Sequence, residues 1–323
     1  MPISEQQWFR CLDTIGLKAP DNIREYREDA QYSAILSQQL QFIEAEVYRQ
    51  LYPELKAKML FPVDTRTPSG AETTGYDMLT EFGSAALISN YADDLPLVDV
   101  MKERFLIQIR SYGDGYEYSI QDIRTSQMSG VPLEQERANA ARFVAEVKVE
   151  EVAAIGNATG GLYGALNHPN IPLYTLTNGS WAAATANAIY DDLHVFVDQV
   201  LDANDDTVIP DTMILAPASY RRAAEARFTD GTGKSPLQAF LESKTPIKTV
   251  ESWNRCKTAD AAGTGPRGMV YKRDMKIIAL DIPQMFEQFP PQPKNLAFFV
   301  PCHFRVAGIK VKYPLGCGYA DGF

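Results

Sequence analysis

Apolar and polar positions along this chain fall into blocks of different period. The clearest is PLEQERANAARFVAEVKVEEVAAIGN, residues 132–157, where apolar residues return every three or four places; this predicts one long helix. Pro132 stands at its first position, where a missing amide proton costs nothing, and Gly156 with Asn157 closes it where a left-handed residue is wanted. Glu134 and Glu136 suit the positive end of the helix dipole. Ala141, Val144, Ala145, Val152 and Ile155 form the expected buried stripe.

The rest of the chain is organised around that beam. Residues 4–15 are predicted to form a short amphipathic helix through Trp8, Phe9, Leu12 and Ile15. The charged stretch DNIREYREDAQ has little to bury and reads as an extended arm. A second helix from about Ser33 to Tyr52 carries Leu36, Leu40, Ile43, Val47 and Leu51 on one face, to pack on its own domain or on a neighbouring subunit. From Met59 to Tyr91 threonines replace helix formers, and TPSG at Thr67–Gly70 is a turn signal; this predicts a long β-hairpin. Its arms have too little apolar density to stand alone, so it must lie against something, as a flap in a monomer or a loop over a neighbour in an assembly.

Phe105, Ile107 and Ile109 alternate on one strand, and Tyr116, Tyr118 and Ile120 on a returning one after a turn at Gly113–Gly115. A short linker leads to the long helix. Beyond it, Asn178, Gly179 and Ser180 offer a start for a helix bearing Ile189, Leu193, Phe196, Val197, Val200 and Leu201. TMILAP at Thr212–Pro217 reads as a buried strand running into the helix SYRRAAEARF, and PLQAFLES as another helix. Strands RDMKIIAL (Arg273–Leu280), LAFFVPCHFRVAG (Leu296–Gly308) and IKVKY (Ile309–Tyr313) close the chain. Strands before and after helices without regular alternation indicate an α+β fold.

The composition, 45% hydrophobic and 22% charged over 323 residues, is that of a folded protein. There is no apolar run long enough to span a bilayer and no signal peptide pattern, which implies a cytosol-like compartment and no membrane partner. A net charge of −10 argues against a sequence-reading nucleic-acid protein, which gains affinity by neutralising phosphates, but it suits a wall that encloses nucleic acid without gripping it.

Candidate chemistry is sparse. Cys11, Cys256, Cys302 and Cys317 are scattered, with neither zinc nor disulfide spacing. GTGKS at Gly231–Ser235 resembles the tail of a phosphate-binding loop, but the position of its first glycine is Phe228. His168 sits in a turn, His194 among Asp191, Asp192 and Asp198 on the expected wet side of a helix, and His303 inside a strand; none has a partner at metal-ligand spacing. The pair Asp93 and Asp94 is a cation site or, more simply, an end cap. The sequons at Asn157 and Asn178 have no meaning in a cytosolic chain. No catalytic, cofactor-binding or metal residue is assigned, and no cofactor is expected. Surfaces that need partners are the main feature.

The order of elements and several strings resemble the major capsid proteins of tailed bacteriophages, the Hong Kong 97-like fold that encapsulin shells share. Those strings are ADDLPLVDV, the helix with GNATGGLYGALN behind it, and TMILAPASYRRAA followed by a TDGTG turn. The resemblance implies an amino-terminal arm and helix (1–56), a long hairpin or E-loop (57–92), a peripheral domain (93–165 and 296–323) with spine helix 132–157, and an axial domain (166–295). It further implies pentamers and hexamers of the chain building an icosahedral shell around double-stranded DNA, with no sequence-specific contact, in a virion assembled in the bacterial cytoplasm. Separate scaffolding, portal and decoration proteins are further implied partners; either the chain is processed or its scaffold is separate. The exposed charges Arg142, Glu146, Lys148 and Glu150 would then face the wall surface or a neighbour.

Some members of that family crosslink through a lysine on the E-loop. Residues 59–92 hold no lysine, with Arg66 the only basic residue, so no such crosslink is expected. An encapsulin-like compartment shell is the alternative, and a hydrolase with a hairpin flap, using groups around His168 or Asp93, is a second.

Overall fold

A computed structural model describes residues 52–85, 96–129, 133–229 and 233–323. The predicted helix at 4–15, residues 33–51 of the second predicted helix, the charged arm and Cys11 lie outside the described residues, as do Asp93, Asp94 and Pro132. In chain order come α1 (Ala57–Leu60), β1 (Val63–Asp64), β2 (Thr73–Phe82), β3 (Asp99–Gln108), β4 (Arg110–Ser119), α2 (Ile120–Ser129) and α3 (Leu133–Ala154). Then follow β5 (Gly156–Asn157), β6 (Leu162–Tyr163), β7 (Leu173–Tyr174), α4 (Ala186–Ala203), β8 (Thr212–Leu215), α5 (Pro217–Glu225) and α6 (Pro236–Glu242). The chain closes with β9 (Thr249–Ser252), β10 (Arg267–Tyr271), β11 (Ile278–Asp281), β12 (Gln284–Gln288), β13 (Gln292–Lys294), β14 (Ala297–Val306), β15 (Gly308–Val311) and β16 (Gly318–Asp321).

The long helix is present as α3, 22 residues and so about 33 Å long. It buries Ala141, Ala145, Val149, Val152 and Ala153 at helical spacing against β4 and β14. Two stripe positions are corrected: Val144 and Ile155 are exposed, and the small Ala and Val side chains between them let the helix lie close to the sheet. Glu150, expected on the wet face, is buried. It accepts hydrogen bonds from Ala57 N (2.7 Å), Lys56 N (3.2 Å) and Trp253 Nε1 (2.5 Å), tying α1 and the segment before it to the beam.

The beam stops where the sequence says it should. Gly156 has φ of +77°, and a Cβ there would lie 2.2 Å from Leu162 O on β6. Asn167 then staples the return, accepting from Gly164 N (2.8 Å) and donating to Ile155 O (2.5 Å). Gly156→Ala is therefore expected to cost about 2 kcal/mol or more, from the left-handed backbone and the clash together, as a lowered denaturant midpoint. An unchanged midpoint would refute it.

Strand pairing departs most from expectation. Thr67–Gly70 is a local turn, with Ala71 N donating to Pro68 O (3.1 Å), but it does not join two arms. The long hairpin is made by β2 and β3, antiparallel and in unbroken register from Thr73↔Gln108 to Phe82↔Asp99. Gly113–Gly115 is likewise no turn: β4 runs straight through it, paired along its whole length with β14. The linker before the beam holds helix α2, and β10 and β16 are strands the pattern missed.

Two apolar cores form. One gathers around α3, β11, β14 and β15, with Phe61 between Trp253 (5.8 Å) and Tyr271 (5.2 Å). The other gathers around α4 and the five-stranded sheet β7-β16-β10-β8-β9. Helix α4 begins at Ala186 behind an N-cap from Thr185, later than the Asn178–Ser180 signal, because Ser180 caps a short 3-10 turn instead. The carboxyl end joins this second sheet through β16, whereas β12 and β13 pair with β14; the boundary at 296 thus divides elements that share a sheet.

Candidate assembly surfaces

Residues singled out for chemistry take structural places. His168 Nδ1 accepts from Asn170 N (3.3 Å), its ring packs on Tyr163, and burial pushes its pKa down. His194 is not on a wet face: it packs between Tyr190 and Phe240, while Asp192 beside it is fully buried and accepts from Trp181 Nε1 (2.9 Å) and Asn178 Nδ2 (2.9 Å). His303 lies on β14 opposite Gly113. Cys256, Cys302 and Cys317 are free and buried, and burial pushes the Cys317 thiol up to about 12.

In GTGKS, Gly231 and Thr232 lie outside the described residues; Ser235 caps α6, accepting from Gln238 N, and Lys234 pairs with Glu242. Asn157 accepts from Gly160 N (3.2 Å) and donates to Tyr112 OH (3.0 Å). Among the described residues no group of three or more His, Cys, Asp or Glu could hold a metal ion, and no helix is long and apolar enough to cross a membrane.

What the structure leaves open is the hairpin. Leu79, Phe82, Val100, Met101 and Leu106 on its two strands are all exposed, as are Leu97 and Val98 leading into β3. A two-stranded ribbon is at best marginal alone, and so many uncovered large apolar side chains mark a surface meant for a partner. Along the shaft Tyr76 stacks on Phe105 (5.3 Å), and Asp77 binds Arg104 (2.7 Å) and Lys102 (2.6 Å), which hold its carboxyl well below the usual range. Lys102 also corrects the crosslink argument. The returning arm is 99–108 and carries a lysine, so its absence from 59–92 decides nothing.

The hairpin root and the Thr67–Gly70 turn before it are held to the three-stranded sheet β1-β11-β15 and to Arg305 on β14. Tyr76 OH donates to Val311 O (2.8 Å), Arg305 donates to Ser69 O, and Thr67 Oγ1 lies 3.2 Å from Thr74 Oγ1 and donates to Asp281 Oδ2 (3.1 Å). Asp64 binds Arg66 through both oxygens (2.9 Å each), which lowers its carboxyl to about 2. A depressed folded-state pKa contributes stability that is present above the unfolded value and lost as pH falls through the folded one. The wild-type subunit is accordingly expected to lose stability between about pH 4 and about pH 2. Asp64→Asn should flatten that part of the curve in urea melts at stepped pH; equal slopes would refute the assignment.

The major capsid protein family model matches residues 83–323. Solved structures agree in fold. The capsid of Myoviridae phage XM1 is similar at 14% identity and TM-score 0.79, over 89% of this chain and 98% of that one. A structure from Mycobacterium phage Bobi is similar at 14% identity and TM-score 0.62, over 90% and 97%. A virus-like particle from Pyrococcus furiosus is similar at 12% identity and TM-score 0.52, over 81% and 90%. No curated protein matches in sequence.

A spine helix across a sheet, a second core and a long exposed hairpin make up the Hong Kong 97-like fold. The chain belongs to the major capsid protein family, and its role is structural, as a subunit of a capsid shell.

Proposed function

We propose that copies of this chain form the pentamers and hexamers of an icosahedral shell around double-stranded DNA, in a tailed-phage virion assembled in the bacterial cytoplasm, and that the subunit is no enzyme. The observation that carries this reading is the exposed apolar hairpin, which has no covering surface among the described residues of its own subunit. In the proposed arrangement the hairpin lies across an adjacent subunit. The core around α3 and β14 is the peripheral domain and the core around α4 the axial domain, and residues 1–56 reach under another copy. The net charge of −10 fits a wall that does not bind its contents tightly. Scaffolding, portal and decoration proteins are proposed as separate partners.

Size exclusion and negative-stain microscopy of the purified protein test the reading. Shells, sheets or capsomers are expected; a monomer or dimer at every salt concentration would refute it. The likeness to the Pyrococcus furiosus particle supports a second reading, a cargo-holding compartment of the encapsulin type. Particle contents separate the two: packaged double-stranded DNA supports the virion, enclosed protein the compartment. A hydrolase with a flap would need polar groups converging on His168, which instead is held by Asn170 and Tyr163.

A further inference from the structure

At the root of the hairpin, three buried ionisable side chains meet on one face of the sheet β1-β11-β15. Lys310 Nζ on β15 lies 2.5 Å from Asp281 Oδ2 on β11 and 3.9 Å from Asp64 Oδ2 on β1. Asp64 and Asp281 are direct cross-strand partners, and Lys310 pairs with Ala279, two residues before Asp281, so all three point the same way. Asp281 is fully buried, and its Oδ1 has no hydrogen-bond partner. A carboxylate kept only as an ion-pair partner is normally satisfied at both oxygens, because a bare charged oxygen in a dry interior is costly.

The geometry points to an amide bond between Lys310 Nζ and Asp281 Cγ, made by the folded subunit upon itself. Amine and carboxyl are held in contact for the life of the fold, which replaces an improbable encounter by a very high effective concentration. Across that contact one proton passes from the ammonium to the carboxylate, giving an amine beside a carboxylic acid. The nitrogen lone pair then attacks Cγ, and positive charge develops on nitrogen. Asp64, kept ionised by its two bonds to Arg66, lies beside that nitrogen to stabilise the charge.

Oδ2, which accepts from Thr67 Oγ1, is retained as the amide oxygen; Oδ1 leaves. The C–N bond forms, one C–O bond breaks, and the departing oxygen takes two of the three ammonium protons as water. No oxidant, metal or second enzyme is required. The product joins β11 to β15 beneath the hairpin, so a pull on the hairpin would act on a covalent bond as well as on hydrogen bonds.

The test is the mass of the purified wild-type protein after folding and then full denaturation. A chain lighter than its sequence by one water is expected, together with a branched proteolytic peptide joining the Asp281 and Lys310 segments. Lys310→Arg should restore the full mass. Asp64→Asn, whose folding is checked by circular dichroism, should form the branched peptide more slowly after refolding than the wild type. Full sequence mass in the wild type, with Asp281 and Lys310 recovered only in linear peptides, would overturn the proposal whether or not either variant folds. A branched peptide forming at the wild-type rate in Asp64→Asn would overturn the role given to Asp64.

Discussion

Excising residues 75–106 and closing Thr74 to Ile107 with a two-residue Asn-Gly turn is expected to abolish shell formation while leaving a folded subunit. Thr74 and Ile107 are direct partners across the hairpin, so a short turn bridges them without shifting what lies below. The removed strands contact little else apart from the Tyr76 bond to Val311, and both apolar cores stay intact. Burying one large apolar side chain contributes about 1.5–3 kcal/mol. Losing even two such contacts at each interface should raise the concentration needed for assembly by about a hundredfold or more.

Leu79→Asp with Leu106→Asp should act in the same direction without shortening the chain, since both side chains are exposed and belong to neither apolar core. Light scattering against concentration reads the effect, and circular dichroism verifies the fold. Shells formed at the wild-type threshold by either variant would show that the hairpin is not the assembly surface.

The second large effect is internal. Glu150→Ala should destabilise the subunit by about 3–5 kcal/mol, because it strips the acceptor from Ala57 N, Lys56 N and Trp253 Nε1 at once and leaves buried donors unpaired. Glu150→Gln should cost less, since one amide oxygen can still accept. Urea unfolding of the unassembled subunit measures both, and a loss below about 1 kcal/mol in the alanine variant would contradict the account. Asp192 does the same work in the second core, where it takes the indole N–H of Trp181. Each core thus fixes a large tryptophan by a carboxylate on its principal helix.

Neither carboxylate was legible as a core residue. Glu150 sits in a run of alternating charge and reads as solvated, and Asp192 lies beside Asp191 in a polar patch. What buries them comes from elsewhere in the chain: Trp253 is 103 residues from Glu150, and Ala57 is 93 residues away on the other side. Periodicity reports only which side of a helix is apolar on average, not which polar side chain will find a buried donor. His194 was misplaced for the same reason, because its neighbours Tyr190 and Phe240 belong to two different helices.

The hairpin shows the other side of that limit. Sequence patterning marked the region before the beam as β-prone, and it found the turn at Thr67–Gly70. It paired the wrong arms, because a turn signal is local whereas strand partners separated by residues 83–98 are chosen by register and by what lies beneath the root.

What the sequence by itself determined was therefore local and periodic: the beam and its glycine stop at Gly156, the strand-to-helix run at Thr212–Glu225, the closing strands, and the surplus of surface that needs partners. Tertiary structure alone decided which strands pair, which carboxylates are buried, and that Asp64, Asp281 and Lys310 meet under the hairpin. Backbone preference acts over a few residues, whereas burial is set by whichever distant surfaces exclude water together.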